Sequence, residues 1–165
     1  MTPSSKARLF WPLAITLVVA DCTTKNLAVE HLSPAHVPHA VVGDWVRLTL
    51  KYNPGAATGI TLGPYSRIGF AVLATCALAV LINFYRATPP SETGRAVALA
   101  LLIAGAAGNL MDRLRSARGV VDFIDVGVGT HRFYTFNVAD ACITVGAVIL
   151  AVVLWRSPRT GSVAL

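Results

Sequence analysis

Residues 108–140 read GNLMDRLRSARGVVDFIDVGVGTHRFYTFNVAD and lie between two apolar segments. The stretch holds Asp112, Asp122, Asp125 and Asp140, half of the eight acidic residues in the 165-residue chain. Only 13% of the residues are charged and 55% are hydrophobic, whereas a soluble domain carries about 25% charged residues. The four carboxylates therefore gather where a membrane protein meets water. Charge at the edge of a bilayer is costly, so each acid needs a partner or a task.

Working outward, four segments are apolar over the roughly 20 residues that a crossing helix needs. They are 9–29, 68–87, 96–114 and 138–155. Two long segments, 30–67 and 115–137, then lie on one side of the membrane, and residues 1–165 read as a single membrane domain. The fold class is an all-α membrane protein with a small β addition. Lys6, Arg8, Arg86, Arg95, Arg156 and Arg159 fall in the tails and the short second loop. The positive-inside rule therefore places both termini in the cytoplasm and the long segments outside. The same scatter argues against nucleic acid as the partner behind the net charge of +6, because phosphate binding wants a basic patch.

The N-terminal run ending VADC at 19–22 is similar to a lipoprotein signal peptide, but Asp21 breaks the small-residue pattern before a cleavage point. It reads as a retained span. Cys22, Cys76 and Cys142 are far apart, each in an apolar run, with neither disulfide nor zinc spacing.

The outer segments carry strand signals. VRLTLK at 46–51 alternates apolar and polar residues, the period of a half-buried strand. NPGAATG at 53–59 follows as turn chemistry. VVDFI at 120–124 reads as a short strand, and FYTF at 133–136 as another, with aromatic residues suited to the membrane interface. A small sheet on the membrane surface is expected, with Asp125 a solvated loop acid.

Several polar residues admit two readings. Asp21 and Lys25 are four apart on one helical face; they either pair only with each other and snorkel to the interface or join a site. Asn109 and Asp112 share a face, and Asp112 with the adjacent Arg113 can form a merely local pair. Asn137 is a good N-cap, and Asp140 three residues later suits a helix N-terminus. Periodicity alone favours capping for Asp140. Yet the topology puts Asp122 and Asp140 on one outer face, and two nearby carboxylates tend to share a proton. One can then activate water while the other polarises a carbonyl, as in aspartic proteases. His31, His36, His39 and His131 lack metalloprotease spacing.

Five pieces in order, DCTTK (21–25), NPGAA (53–57), GNLMDR (108–113), VVDFI (120–124) and FNVAD (136–140), resemble the motifs of lipoprotein signal peptidase, or signal peptidase II. The resemblance covers nearly the whole chain. It implies four transmembrane helices with an extracytoplasmic β-cradle in the bacterial cytoplasmic membrane, with the active site near the outer leaflet. It implies an aspartic endopeptidase that cuts prolipoproteins on the N-terminal side of a diacylglyceryl-modified cysteine. Asp122 and Asp140 would be the catalytic dyad. Asn53, Gly55, Asn109, Arg113 and Asn137 would line or brace the substrate site, with Asp21, Lys25 and Asp112 supporting it. No metal or organic cofactor is implied. Partners would be lipid-modified precursors, membrane lipids and globomycin-type inhibitors. Thr58 departs from the aromatic residue many members carry after the Gly-Ala-Ala piece. The segment around 53–59 is expected to close over bound peptide. The rival reading is a non-enzymatic channel or assembly factor with structural aspartates. A presenilin-type protease is disfavoured, because GVGT at 127–130 lacks the acid of that family's motif.

Overall fold

A computed structural model describes residues 5–55 and 63–156. Four helices carry the apolar spans: α1 (Ser5–His31), α2 (Ser66–Ala87), α3 (Thr93–Arg115) and α4 (Val138–Arg156). Each is long and apolar enough to cross a membrane. α1 runs four residues further towards the N-terminus than the hydropathy suggests, because Lys6 is anchored there. Its ammonium donates to the Tyr85, Arg86 and Thr88 carbonyls at the end of α2, where a cation complements the exposed carbonyls of a helix C-terminus.

α3 is the axis of the bundle and packs against α1, α2 and α4. Its buried face is Ala96, Ala98, Leu99, Ala100, Leu102, Ala104, Gly105, Gly108 and Asn109. Such small side chains let helix backbones approach closely, the main route to packing where no water drives association. A Cβ on Gly105 would strike the Ala139 carbonyl and lie 2.7 Å from Ile143 Cγ1; one on Gly108 would strike the Asp21 carboxylate. Gly105→Ala should therefore cost about 1–3 kcal/mol, read as a lower thermal unfolding temperature in detergent. Unchanged stability would mean that α4 can move away freely. α2 buries only Ser66 along its length, so it presents most of its surface to lipid.

The strands β1 (Pro38–Val42), β2 (Val46–Asn53), β3 (Val120–Val128) and β4 (His131–Arg132) form an antiparallel sheet in that order. β2 and β3 contain the two expected strands and extend both. Residues 133–136 do not form the expected third strand. The turn at Gly129 (φ +55°) sets the register, pairing Val128 with His131 and Gly127 with Arg132. Further on, the Phe133 N–H donates to the Val126 carbonyl at 2.8 Å, and Phe136 returns as an isolated bridge to Ile124. β1 was not foreseen; Pro38 opens it at the sheet edge, where a missing N–H is tolerated.

Leu50, Val121 and Phe123 pack on Ala28 of α1 and on Leu32 just past its end, each large apolar side chain contributing roughly 1.5–3 kcal/mol. This cluster fixes the sheet on the end of the bundle. A register shift between Leu48 and Lys51 adds a residue to β2, so Lys51 faces Asp122 and Asn53 faces Val120. Because strand side chains alternate with a period of two, the extra residue moves Asn53 to the sheet side of Asp122.

Candidate active site

Asp122 is carried by β3 and is 3% exposed. Asp140 lies in the first turn of α4. Two asparagines link them. Asn137 Nδ2 donates to Asp122 Oδ1 at 2.7 Å and to Asn109 Oδ1 at 3.1 Å. Asn109 Nδ2 in turn donates to Asp140 Oδ1 at 2.8 Å. Asn53 Nδ2 donates to Asp122 Oδ2 at 3.2 Å, so both Asp122 oxygens accept an amide donor.

The amides cannot flip without loss. Asn109 Oδ1 also accepts from Lys25 Nζ at 2.9 Å, and Asn137 Oδ1 accepts the Asp140 backbone N–H at 2.9 Å. Asp140 Oδ2 reciprocally accepts the Asn137 N–H at 3.2 Å. Asn137 and Asp140 therefore form a reciprocal capping box at the α4 N-terminus. The capping role that periodicity favours is real, and it holds the Asp140 carboxylate beside the Asn109 amide.

Lys25 and Asp21 do not snorkel. They are 3% and 1% exposed, paired at 2.8 Å. Lys25 also reaches Asp112 Oδ2 at 2.9 Å, so its three donor directions are spent on Asp21, Asp112 and Asn109. Asp21 Oδ1 accepts the Ala139 N–H of α4 at 2.9 Å. Asp112 forms no local pair with Arg113; its Oδ2 accepts the Val121 N–H of β3 at 3.1 Å. Arg113 instead donates to the Asn109 carbonyl at 3.0 Å and the Gly55 carbonyl at 2.9 Å. Gly55 N–H donates to Asn53 Oδ1 at 3.0 Å, closing the ring of contacts.

The nine polar residues expected at the site, together with Gly55, thus converge where α1, α3, α4 and the sheet meet. Asp125 corrects an expectation. It is 6% exposed, accepting from Thr49 Oγ1 at 3.1 Å and from Arg132 Nε at 2.7 Å. Arg132 also donates to the Asp44 carbonyl at 2.7 Å. This second cluster braces the sheet, and sequence distance hid it, since Thr49 and Asp125 lie on different strands. Thr58 and most of the segment expected to close over peptide lie outside the described residues.

Burial pushes Asp122 up to about 6, and the negative charge of Asp140 adds to the rise; the Asn53 and Asn137 amides and Lys25 oppose it. An apolar cavity of about 400 Å³ opens beside Asp140, walled by Phe133, Tyr134, Phe136 and Thr144. Another, of about 390 Å³, lies between α2 and α3 next to Arg113. The arrangement offers two carboxylates on an amide bridge, one of which keeps its proton up to about pH 6, with apolar space alongside.

The family described as signal peptidase (SPase) II matches residues 13–156. A lipoprotein signal peptidase of Pseudomonas fluorescens is 38% identical, covering 93% of this chain and 92% of its own. One from Pseudomonas putida KT2440 is 40% identical over 93% of this chain and 91% of its own. Among solved structures, a bacterial membrane enzyme superposes with a TM-score of 0.80 at 26% identity, covering 100% of this chain and 98% of its own.

Proposed function

The chain belongs to the signal peptidase II family, and on that premise we propose that Asp122 and Asp140 are the catalytic dyad of a membrane endopeptidase. The activity is that of a lipoprotein signal peptidase, a protease of prolipoproteins with a multi-pass membrane fold. The observation that supports the dyad is the Asn137–Asn109 bridge, which ties both carboxylates into one hydrogen-bonded unit.

In this reading Asp122 holds the shared proton at rest, because burial favours its neutral form. Asp140, at the positive end of α4, is the base. Water between them gives a proton to Asp140 as it attacks the scissile carbonyl, while Asp122 hydrogen-bonds the carbonyl oxygen. Collapse of the tetrahedral intermediate breaks the C–N bond and passes a proton to the leaving amine. Asn53, Asn109 and Asn137 orient the carboxylates, and Arg113 with Gly55 frames the entrance.

The scissile bond precedes a diacylglyceryl-modified cysteine, whose chains stay in the surrounding membrane lipid while apolar space beside Asp140 receives the precursor. The chain functions as one peptidase unit in the bacterial cytoplasmic membrane, with cytoplasmic termini and the dyad near the outer leaflet. Globomycin-type inhibitors compete for the same site.

Cleavage of lipid-modified and unmodified precursor by the purified protein tests the substrate class. The modified precursor should be cut far faster; equal rates would remove the lipid from the proposal. A pH profile tests the proton. kcat/KM reports the free enzyme, so it should fall as pH rises through about 6, where Asp122 loses its proton. A flat profile from pH 5 to 8 would exclude Asp122 as the proton holder.

A further inference from the structure

At the end of the bundle away from the carboxylates, α1 and α2 diverge over α3 and leave a groove of about 520 Å³. Its walls include Trp11, Ile15 and Val18 of α1, Ile82 of α2, and Ile103 and Ala104 of α3. α1 and α2 make no close backbone contact along it; Phe10 stacked on Tyr85, with ring centroids 3.8 Å apart, closes one end. Arg86 lines the rim. Arg8 lies one turn before Trp11 and two before Ile15, on the same stripe of α1. Both arginines are exposed, and among the described residues neither guanidinium has a carboxylate partner. Lys6 adds a third positive charge there, spent on the α2 carbonyls.

We infer that this groove is a binding site for an anionic phospholipid, with an acyl chain between α1 and α2 and its phosphate held by Arg8 and Arg86. The α1 wall runs from Phe10 to Val19, about 15 Å of helix. The charge decides the occupant. A signal peptide carries its basic segment next to its apolar run, and two arginines would repel it. Basic pockets between membrane helices take phosphorylated head groups, and Trp11 at the rim suits the interface. The inference is independent of the dyad.

The test uses the full chain in phosphatidylcholine vesicles with Trp45→Phe and Trp155→Phe, leaving Trp11 as the one tryptophan. Brominated phosphatidylglycerol should half-quench Trp11 at about a ten-fold lower mole fraction than brominated phosphatidylcholine, given the attraction of each arginine for an anionic head group. Arg8→Gln with Arg86→Gln should remove the difference while precursor cleavage and thermal unfolding stay unchanged, which shows that the variant folds. Equal quenching by the two lipids, or a preference that survives both substitutions, would overturn the inference. So would loss of quenching on adding precursor or on self-association, which would give the groove to a substrate helix or to a second copy.

Discussion

Asp140→Asn and Asp122→Asn proteins are expected to insert, fold and bind precursor, yet to turn it over about 10²–10⁴-fold more slowly. Each variant keeps the shape of the side chain and removes its capacity to exchange a proton. Their stabilities should differ, which separates catalysis from folding. In Asp140→Asn, one of the donors from Asn109 and Asn137 meets an amide nitrogen, at a cost of about 1 kcal/mol. Asp122 behaves differently with pH. Its pKa is raised from 3.8 to about 6 in the folded protein, so its contribution to stability is present below 3.8 and lost as pH rises through about 6. The rise corresponds to roughly 3 kcal/mol. Wild type should therefore lose stability between pH 4 and 7, and Asp122→Asn should lose less. Thermal unfolding in detergent across that range, beside cleavage assays, checks both statements. Near-wild-type turnover in either variant would sink the dyad.

The second large effect is structural. Lys25→Met should destabilise the protein by about 3–5 kcal/mol, because removing one partner leaves uncompensated buried charge. Here Lys25 serves Asp21, Asp112 and Asn109 at once. Its loss strands two carboxylates and frees the amide that orients Asp140, so cleavage should fall with stability. Adding Asp112→Asn to Lys25→Met should recover part of the stability by removing one stranded charge. Arginine should not replace Lys25, since its planar fork cannot reproduce three converging bonds from one ammonium. A Lys25→Met protein as stable as wild type would show that the pair is solvated and expendable.

Much of the molecule is legible in the chain. Four spans stand out because a membrane crossing is a local property of about 20 consecutive residues. β2 and β3 were readable because a half-buried strand alternates within a few residues. The Asn137 cap was readable because its partner is three positions away. The failures share the opposite cause. Residues 133–136 have strand composition, but past the Gly129 turn they touch β3 only at Phe133 and at the Phe136 bridge. Asp125 looked solvated because its partners, Thr49 and Arg132, come from the neighbouring strands on either side.

Local sequence thus determined the spans, the two principal strands and the identity of the polar residues, since apolar length, alternation and ordered motifs need no knowledge of contacts. Only the tertiary structure decided what those residues do to one another. Asp21 and Lys25 could have snorkelled; Gly108 brings α3 close enough to α1 for the pair to be buried beside Asn109. Asp140 could have been a cap alone; the same capping box that starts α4 carries the asparagine that reaches Asp122. The β2 bulge, invisible in the alternation of 46–51, puts Asn53 on the side of the sheet that Asp122 occupies. Side-chain chemistry is local, whereas the distance between two carboxyl groups depends on every helix and strand that separates them.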